Sequence, residues 1–426
     1  MRALFRDRRF LIMLAFGFAA GVPLPLTGFV LRQWLSESNI SLAAIGFTAL
    51  IGLSYSLKFL WAPLLDHAAP PFFRTLGRRR GWLASIQPPL MLAILALGLT
   101  DPVGAAWATA AVAVLVAFLS ASQDIVIDAY RIEILEREDQ GYGFACYVWG
   151  YRFALLAANA GALGMVGLVG WEGAFAYCAA LVGIGFLAVL CAPEPAAPPP
   201  EVMTWPRRMR VAVIDPFADF MRRRHWLAIL LFIVLFKLGE ALAGIMTPPF
   251  YRAIGFTRGD VAQVAVVFGL VMALAGVLAG GFLVARIGVG RALVITGVLQ
   301  MLSNLMYVAL HWAGRDMGML YAQVGVENFT DGLADAAFVA YLTGLTNRAF
   351  SATQYALLSS LAAVPLRFLG AWSGQMAEAL GWTPFFLATT IAALPALVIM
   401  LWLLRHLPPE VRKPRADRAA AGPDMA

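Results

Sequence analysis

The sequence predicts an all-α membrane protein: twelve transmembrane helices in two pseudo-symmetric six-helix bundles, with both termini cytoplasmic. Three observations carry that expectation. The chain of 426 residues is 61% hydrophobic and only 13% charged, about half the charge of a soluble domain. Apolar runs of about twenty residues, the length that crosses a hydrocarbon core, recur along it. Lys and Arg collect between alternate runs.

The runs fall near 10–34, 42–65, 82–100, 105–130, 144–169, 171–192, 226–251, 259–285, 290–312, 317–346, 350–380 and 382–405. Backbone groups in lipid must satisfy one another, so continuous Leu/Ala/Gly-rich runs read as helices. A β-barrel would show short alternating segments instead. The first run follows Arg2, Arg6, Arg8 and Arg9. It is too long for a signal peptide, contains Pro23 and Pro25, and lacks a small-x-small cleavage site, so a retained helix is expected. The formal net charge of +7 does not point to nucleic acid. With a cytoplasmic amino terminus, only Arg252, Arg258 and Arg315 fall in the opposite loops. That asymmetry is the positive-inside pattern; Arg32, Lys58, Arg152, Lys237 and Arg367 fall inside or near the runs, and the other basic residues serve topology and anionic lipid headgroups.

Composition breaks once. A Pro/Ala stretch from Pro193 to Pro200 precedes Arg207, Arg208, Arg210, Arg222, Arg223 and Arg224, a basic interfacial pattern. The expected division is an N-terminal six-helix bundle (1–192), a cytoplasmic linker (193–225), a C-terminal six-helix bundle (226–405) and a polar cytoplasmic tail (406–426). The halves echo each other. Asp124 and Asp128 lie in the fourth run, Asp331 and Asp335 in the tenth. Arg152-Phe153 precedes Gly170-Trp171, and Arg367-Phe368 precedes Gly381-Trp382. Gly77-Arg78-Arg79-Arg80 follows the second run, and Gly288-Val289-Gly290-Arg291 the eighth.

No Walker loop, GxSxG, HExxH or CxxC motif occurs, so no enzyme is expected. Cys146, Cys178 and Cys191 are scattered, and His67, His225, His311 and His406 lie singly. Neither a metal site nor a cofactor is expected. Any driving energy must then come from an ion gradient or from a solute's own gradient.

The charges inside the runs are the informative ones, because each costs at least roughly 3 kcal/mol at the bilayer centre. They persist where they line a polar pathway or face each other. Asp124 and Asp128, four apart on one helical face, follow Gln123. Their repulsion favours one of them holding a proton, as a proton symporter requires; an ion pair with Arg131 or Arg152 is the structural alternative. Lys237 and Glu240 lie three apart near Gly239, Gly244 and Pro248-Pro249, a helix expected to bend. Glu327, Asp331 and Asp335 drift only about 40° per four residues, so all three can look into one cavity, with Arg367 as a partner for one of them. Lys58 either snorkels to the interface or meets an anionic solute. Gln33, Trp34, Tyr55, Trp61, Trp149 and Tyr151 are polar or aromatic groups able to meet sugar rings, or ordinary interface anchors.

Two six-helix halves joined by a long central loop are the layout of the major facilitator superfamily, whose loop signature the Gly77–Arg80 string resembles. Within it, several strings resemble the AmpG-type muropeptide permeases. They are Gly17-Phe18-Ala19-Ala20-Gly21-Val22-Pro23, Leu57-Lys58-Phe59-Leu60-Trp61-Ala62-Pro63, Ser120-Ala121-Ser122-Gln123-Asp124-Ile125-Val126-Ile127-Asp128, Phe236-Lys237-Leu238-Gly239-Glu240, Glu327-Asn328, and Ser351-Ala352-Thr353-Gln354-Tyr355.

The resemblance implies a monomeric inner-membrane importer of anhydromuropeptides for peptidoglycan recycling, driven by protons, and in some bacteria feeding β-lactamase induction. Siderophore or other anionic-metabolite permeases of the same fold, and a non-transporting receptor, stay open as alternatives. On the muropeptide reading, Asp124, Asp128 and Glu240 exchange the proton. Gln33, Lys58, Gln123, Tyr151, Arg152, Lys237, Glu327, Asn328 and Gln354 meet the solute or balance its charge. Asp66, Arg78, Arg79 and Arg80 form cytoplasmic gating contacts. Some members carry two further carboxyl-terminal helices, whereas 408–426 here is too polar to span.

Overall fold

The computed structural model describes residues 7–68, 70–135, 140–195, 218, 220–222, 225–345, 360 and 363–406. Those residues are almost entirely helical and divide into two compact units, Met1–Glu201 and Val202–Ala426.

Unit 1 opens with α1, Arg8–Glu37. Asp7 caps it by accepting from the Arg9 backbone N–H at 2.9 Å. The helix breaks at Val22 and again at Thr27 and Gly28, where Pro23 and Pro25 withhold backbone donors. Next, α2 (Leu42–Leu60) is a mosaic of α and tighter 3-10 turns at Thr48–Gly52 and Lys58–Leu60. Then come α3 (Arg78–Gly98) and α4 (Ala106–Ile134). In the turn between them, the Gly104 and Val103 backbone N–H groups hold the exposed Asp101 carboxyl below the ordinary carboxylate range. The stretch Gly143–Cys191 is continuous only nominally, because Gly170 sits at φ 70°, ψ −177°. That left-handed residue cuts it into α5 (143–169) and α6 (171–191).

Unit 2 comprises α7 (Trp226–Ile254), α8 (Arg258–Ile287), α9 (Val289–Ala313), α10 (Met317–Leu345), α11, described over 363–380 with a turn at Trp372, and α12 (Trp382–His406). Among the described residues nine stretches are long and apolar enough to cross a membrane. That count joins α5 to α6, and α10 stands outside it. α10 matches the others in length but carries Glu327, Asp331 and Asp335.

The echo between the halves extends to backbone geometry at the joints. Gly170 and Gly381 both have positive φ, 70° and 75°, immediately before Trp171 and Trp382. Gly77 and Gly288 match at 97° and 81°, opening α3 and α9. Asn39 at 58° and Gly255 at 102° end the first helix of each unit.

Helix contact in lipid rests on close packing rather than on hydrophobic exclusion. In unit 1, α1 and α5 approach until a Cβ on Gly17 would lie 2.0 Å from the Tyr147 carbonyl oxygen, and one on Gly150 1.9 Å from that of Leu14. Phe16 and Tyr130 meet edge-on at 5.1 Å in the same core. In unit 2, Phe236 stacks on Phe338 at 5.2 Å and Phe232 meets Tyr341 edge-on.

One buried group works against this packing. Gln87 on α3 is 0% exposed, and neither of its amide atoms finds a partner among the described residues. An unsatisfied buried polar group costs about 1–3 kcal/mol. Gln87→Leu is therefore expected to raise the thermal unfolding midpoint of the purified protein; an unchanged or lower midpoint would assign Gln87 a partner in another state.

Candidate functional site

Each unit holds its own constellation of charges. In unit 1, Lys58 sits in the 3-10 turn of α2, where the backbone departs from α geometry. Its ammonium lies 3.8 Å from Asp124 and 4.0 Å from Asp128 on α4. Asp128 also meets Arg131 at 3.5 Å, one turn along. The Arg131 guanidinium lies over the Phe144 ring at 4.9 Å. Asp124 Oδ1 is buried without a hydrogen-bond partner among the described residues. The carboxylate is thus neutralised by a nearby charge yet not held by donors, a condition that suits a group able to change protonation state.

Polar residues flank this triad. The Trp61 indole N–H donates to Ser122 Oγ at 3.0 Å, tying α2 to α4 next to Gln123. Gln123 is fully buried and donates to the Ala19 carbonyl at 3.1 Å, across to α1. Gln33 donates to Glu37 at 3.0 Å, and its own oxygen is buried without a donor among the described residues. Tyr151 lies 6.3 Å from Tyr147, ring to ring. Arg152, half-buried, forms no ion pair among the described residues.

In unit 2, α7 breaks at Lys237 (φ −99°, ψ 7°) between Trp226–Phe236 and Leu238–Ile254. The Lys237 ammonium meets three carboxylates: Glu240 at 2.6 Å, Asp331 at 2.7 Å and Asp335 at 2.7 Å. Gln300 on α9 donates to Glu240 at 2.6 Å and to Asp331 at 3.1 Å. An ammonium has three donors, so all of those on Lys237 are engaged by protein acids here. Glu327 belongs to an adjoining network. It accepts from the Tyr307 hydroxyl and from Gln323 at 2.7 Å, and Gln323 in turn accepts from Tyr251 at 2.7 Å. Asn328, the next residue along α10, donates to its own helix at Val324 and turns toward Gly269 on α8. Neighbours on a helix point about 100° apart, so Glu327 and Asn328 face different surroundings.

The arginines at the start of α3 are bound within unit 1. Arg78 and Arg79 both reach Glu133 at the end of α4, at 2.9 and 2.5 Å. Glu194 accepts from the backbone N–H groups of Arg79 at 2.8 Å and Arg80 at 3.0 Å, capping the helix. The Arg80 side chain donates to the Val189 and Leu190 carbonyls that end α6. Asp66 lies in a described helix, but its side chain is outside the described set, and Gln354 lies outside it altogether.

Several participants escaped sequence reading. Glu133 and Glu194 lie at run ends, where acids are ordinary. Gln300, Tyr307 and Gln323 carry no charge and interrupt no apolar run, so only their spatial convergence reveals them. The i, i+4 spacing did signal the Asp124–Asp128 pair, and the i, i+3 spacing the Lys237–Glu240 pair.

The sequence profile described as the Major Facilitator Superfamily matches residues 9–365. The chain belongs to that superfamily. It is 42% identical over 400 residues to the "Anhydromuropeptide permease" of Escherichia coli strain K12, covering 93% of this chain and 80% of that protein. It is 34% identical over 407 residues to "Putative transporter AmpG 4" of Rickettsia felis, covering 94% and 97%. These are AmpG-type relatives within the Major Facilitator Superfamily. Among solved structures, a bacterial homologue of the human lysosomal transporter Spinster, inward-facing and occupied, superposes with a TM-score of 0.69 at 14% identity over 97% of this chain and 98% of that one. A D-xylose–proton symporter superposes at 0.68 and 11% identity, covering 95% and 98%. At such identities the likeness speaks for the fold alone. As a Major Facilitator Superfamily member, the chain is a transporter rather than an enzyme, a multi-pass protein of the bacterial inner membrane.

Proposed function

We propose that the chain is a twelve-helix, proton-coupled carrier that imports anhydromuropeptides by alternating access. The observation that carries the solute is the 42% identity to the Escherichia coli permease along 93% of this chain. Twelve helices follow from splitting Gly143–Cys191 at Gly170, adding Met317–Leu345, and taking the apolar run at 350–380 as a span. Cytoplasmic termini follow from the basic loops. Unit 1 supplies the coupling acids, Asp124 and Asp128, with Lys58 as their counter-charge. Glu240 is the corresponding candidate in unit 2.

Arg152, without an ion pair among the described residues, is the cation best suited to a solute carboxylate. Gln33, Gln123, Tyr151, Glu327, Asn328 and Gln354 are the hydrogen-bonding candidates. Lys58 and Lys237 balance protein acids in this state and reach solute once a carboxylate gains a proton. Arg78, Arg79 and Arg80 hold the cytoplasmic ends of α3, α4 and α6 together, and with Asp66 are assigned to gating. Protons, membrane lipid and one copy of the chain complete the assembly, with peptidoglycan recycling and β-lactamase induction as its setting.

Labelled anhydromuropeptide presented to proteoliposomes is expected to accumulate under an inward proton gradient. It is expected to equilibrate only, once a protonophore collapses that gradient. Accumulation indifferent to the protonophore would remove proton coupling, and no entry at all would remove the solute.

A further inference from the structure

Beside Glu240 lies a small cavity of about 10 Å³ within unit 2. Glu240, Gln300 and Asn304 are its polar lining, and Phe236, Met301 and Leu397 part of its apolar wall. A volume of about 10–15 Å³ admits one water, provided it finds polar partners. Asn304 is 5% exposed, and its side chain makes no hydrogen bond among the described residues. Its amide nitrogen lies beside Gly239, 3.3 Å from where a Cβ would stand, in the turn preceding Glu240. A buried amide is costly unless bonded, so this one calls for a polar occupant.

The Lys237 ammonium is shared among the carboxylates of Glu240, Asp331 and Asp335. Glu240 Oε2 and Asp331 Oδ1 converge on the same two donors, Lys237 Nζ and Gln300 Nε2. Two ionised oxygens so placed repel, and the arrangement relaxes when one carboxyl is protonated. A metal cation does not fit, since the ammonium already occupies the place between the acids. Polar groups nearby among the described residues include Glu327 on α10, one turn before Asp331, with Tyr307 on α9. On α12 the neighbours are Thr389, Ala393 and Leu397, none of them charged.

We propose that Glu240 holds a proton in this cluster and hydrogen-bonds a solvent molecule seated against Gln300 and Asn304, so that unit 2 carries a proton-binding site of its own. The step is a simple one: a solvent proton adds to a Glu240 carboxylate oxygen, and the same O–H bond breaks when the proton leaves. The inference deepens the proton-coupled reading above, but its test needs no transported solute.

Infrared difference spectra of the full-length protein in lipid, recorded between alkaline and acidic sodium-free buffers, report protonated carboxyls through their C=O stretch. Glu240→Gln is expected to lose one such band. Asn304→Leu, which fills the cavity and removes the amide, is expected to shift that band to higher wavenumber, the mark of a lost hydrogen bond. Asn304→Ser is expected to restore it. Where leucine prevents folding, Asn304→Val serves in its place. A spectrum unchanged by Glu240→Gln would overturn the proton site, and a band unmoved by the Asn304 variants would overturn the solvent molecule. Failure of anhydromuropeptide uptake by wild type would overturn the solute assignment alone, with the band still deciding this one.

Discussion

Asp124→Asn is expected to abolish gradient-driven accumulation, lowering it roughly 100-fold or more. The reason lies in the looseness of its setting. One carboxylate oxygen is buried without a donor among the described residues, and the other is 3.8 Å from Lys58, too far for a hydrogen bond. Charge holds the pair together, so protonating Asp124 frees Lys58 to lean on Asp128, 4.0 Å away, where Arg131 also sits. An asparagine freezes the neutral condition and removes that exchange. Each 1.36 kcal/mol added to the barrier of the step that needs the proton is about a factor of ten in rate, so a 100-fold loss corresponds to about 3 kcal/mol. Initial uptake should also lose its response to external pH. The measurement is labelled-solute uptake at fixed membrane potential with the pH step varied. Wild-type pH sensitivity in the asparagine variant would move the coupling to Asp128 or to unit 2.

Gly150→Leu is expected to prevent assembly of unit 1. A Cβ there would sit 1.9 Å from the Leu14 carbonyl oxygen, and the reciprocal Gly17 meets Tyr147 at 2.0 Å. Both obstacles are backbone, so no rotamer change can relieve the overlap and the two helices must separate. Overpacking costs typically about 1–3 kcal/mol and occasionally more, and here the whole α1–α5 contact is at stake. Against a total stability of about 5–15 kcal/mol, most of the folded population should vanish. Gly164→Ala on the same helix is the comparison, because nothing lies within 4 Å of its added methyl. Size-exclusion yield and thermal midpoint read both variants. A folded Gly150→Leu protein of wild-type midpoint would show that α1 and α5 do not cross this closely.

Helix positions were readable in the sequence because hydrocarbon thickness sets run length and Gly-Trp or Gly-Arg pairs mark the joints. α3 begins at Arg78 rather than near 82, since Glu194 caps its first turn from over one hundred residues away. Within the sites, local spacing was informative. Lys237 and Glu240 stand three apart and meet at 2.6 Å. Distant convergence was not. Lys58 could snorkel or face inward on its sequence alone, and its approach to Asp124 depends on how α2 packs on α4. The sequence offered Arg367 as a partner for one of the α10 acids and gave no sign that Asp331 and Asp335 both meet Lys237, where α7 breaks. Neutral Gln300 and Asn304 gave no signal, because an amide within an apolar helix shows its importance only through what surrounds it.

The acids of α10 bear on how the protein is made. Two aspartates near the middle of a span cost roughly 5–7 kcal/mol on insertion scales, and Glu327 adds to that. As a solitary segment leaving the ribosome, Met317–Leu345 would partition poorly into lipid. Its ammonium partner belongs to α7, synthesised some ninety positions earlier. The nascent α7, with Lys237 and Glu240 three residues apart in its middle, is itself a reluctant entrant. Biogenesis of this half then calls for the translocon to keep α7 through α9 nearby until α10 emerges, so that opposite charges enter the bilayer together.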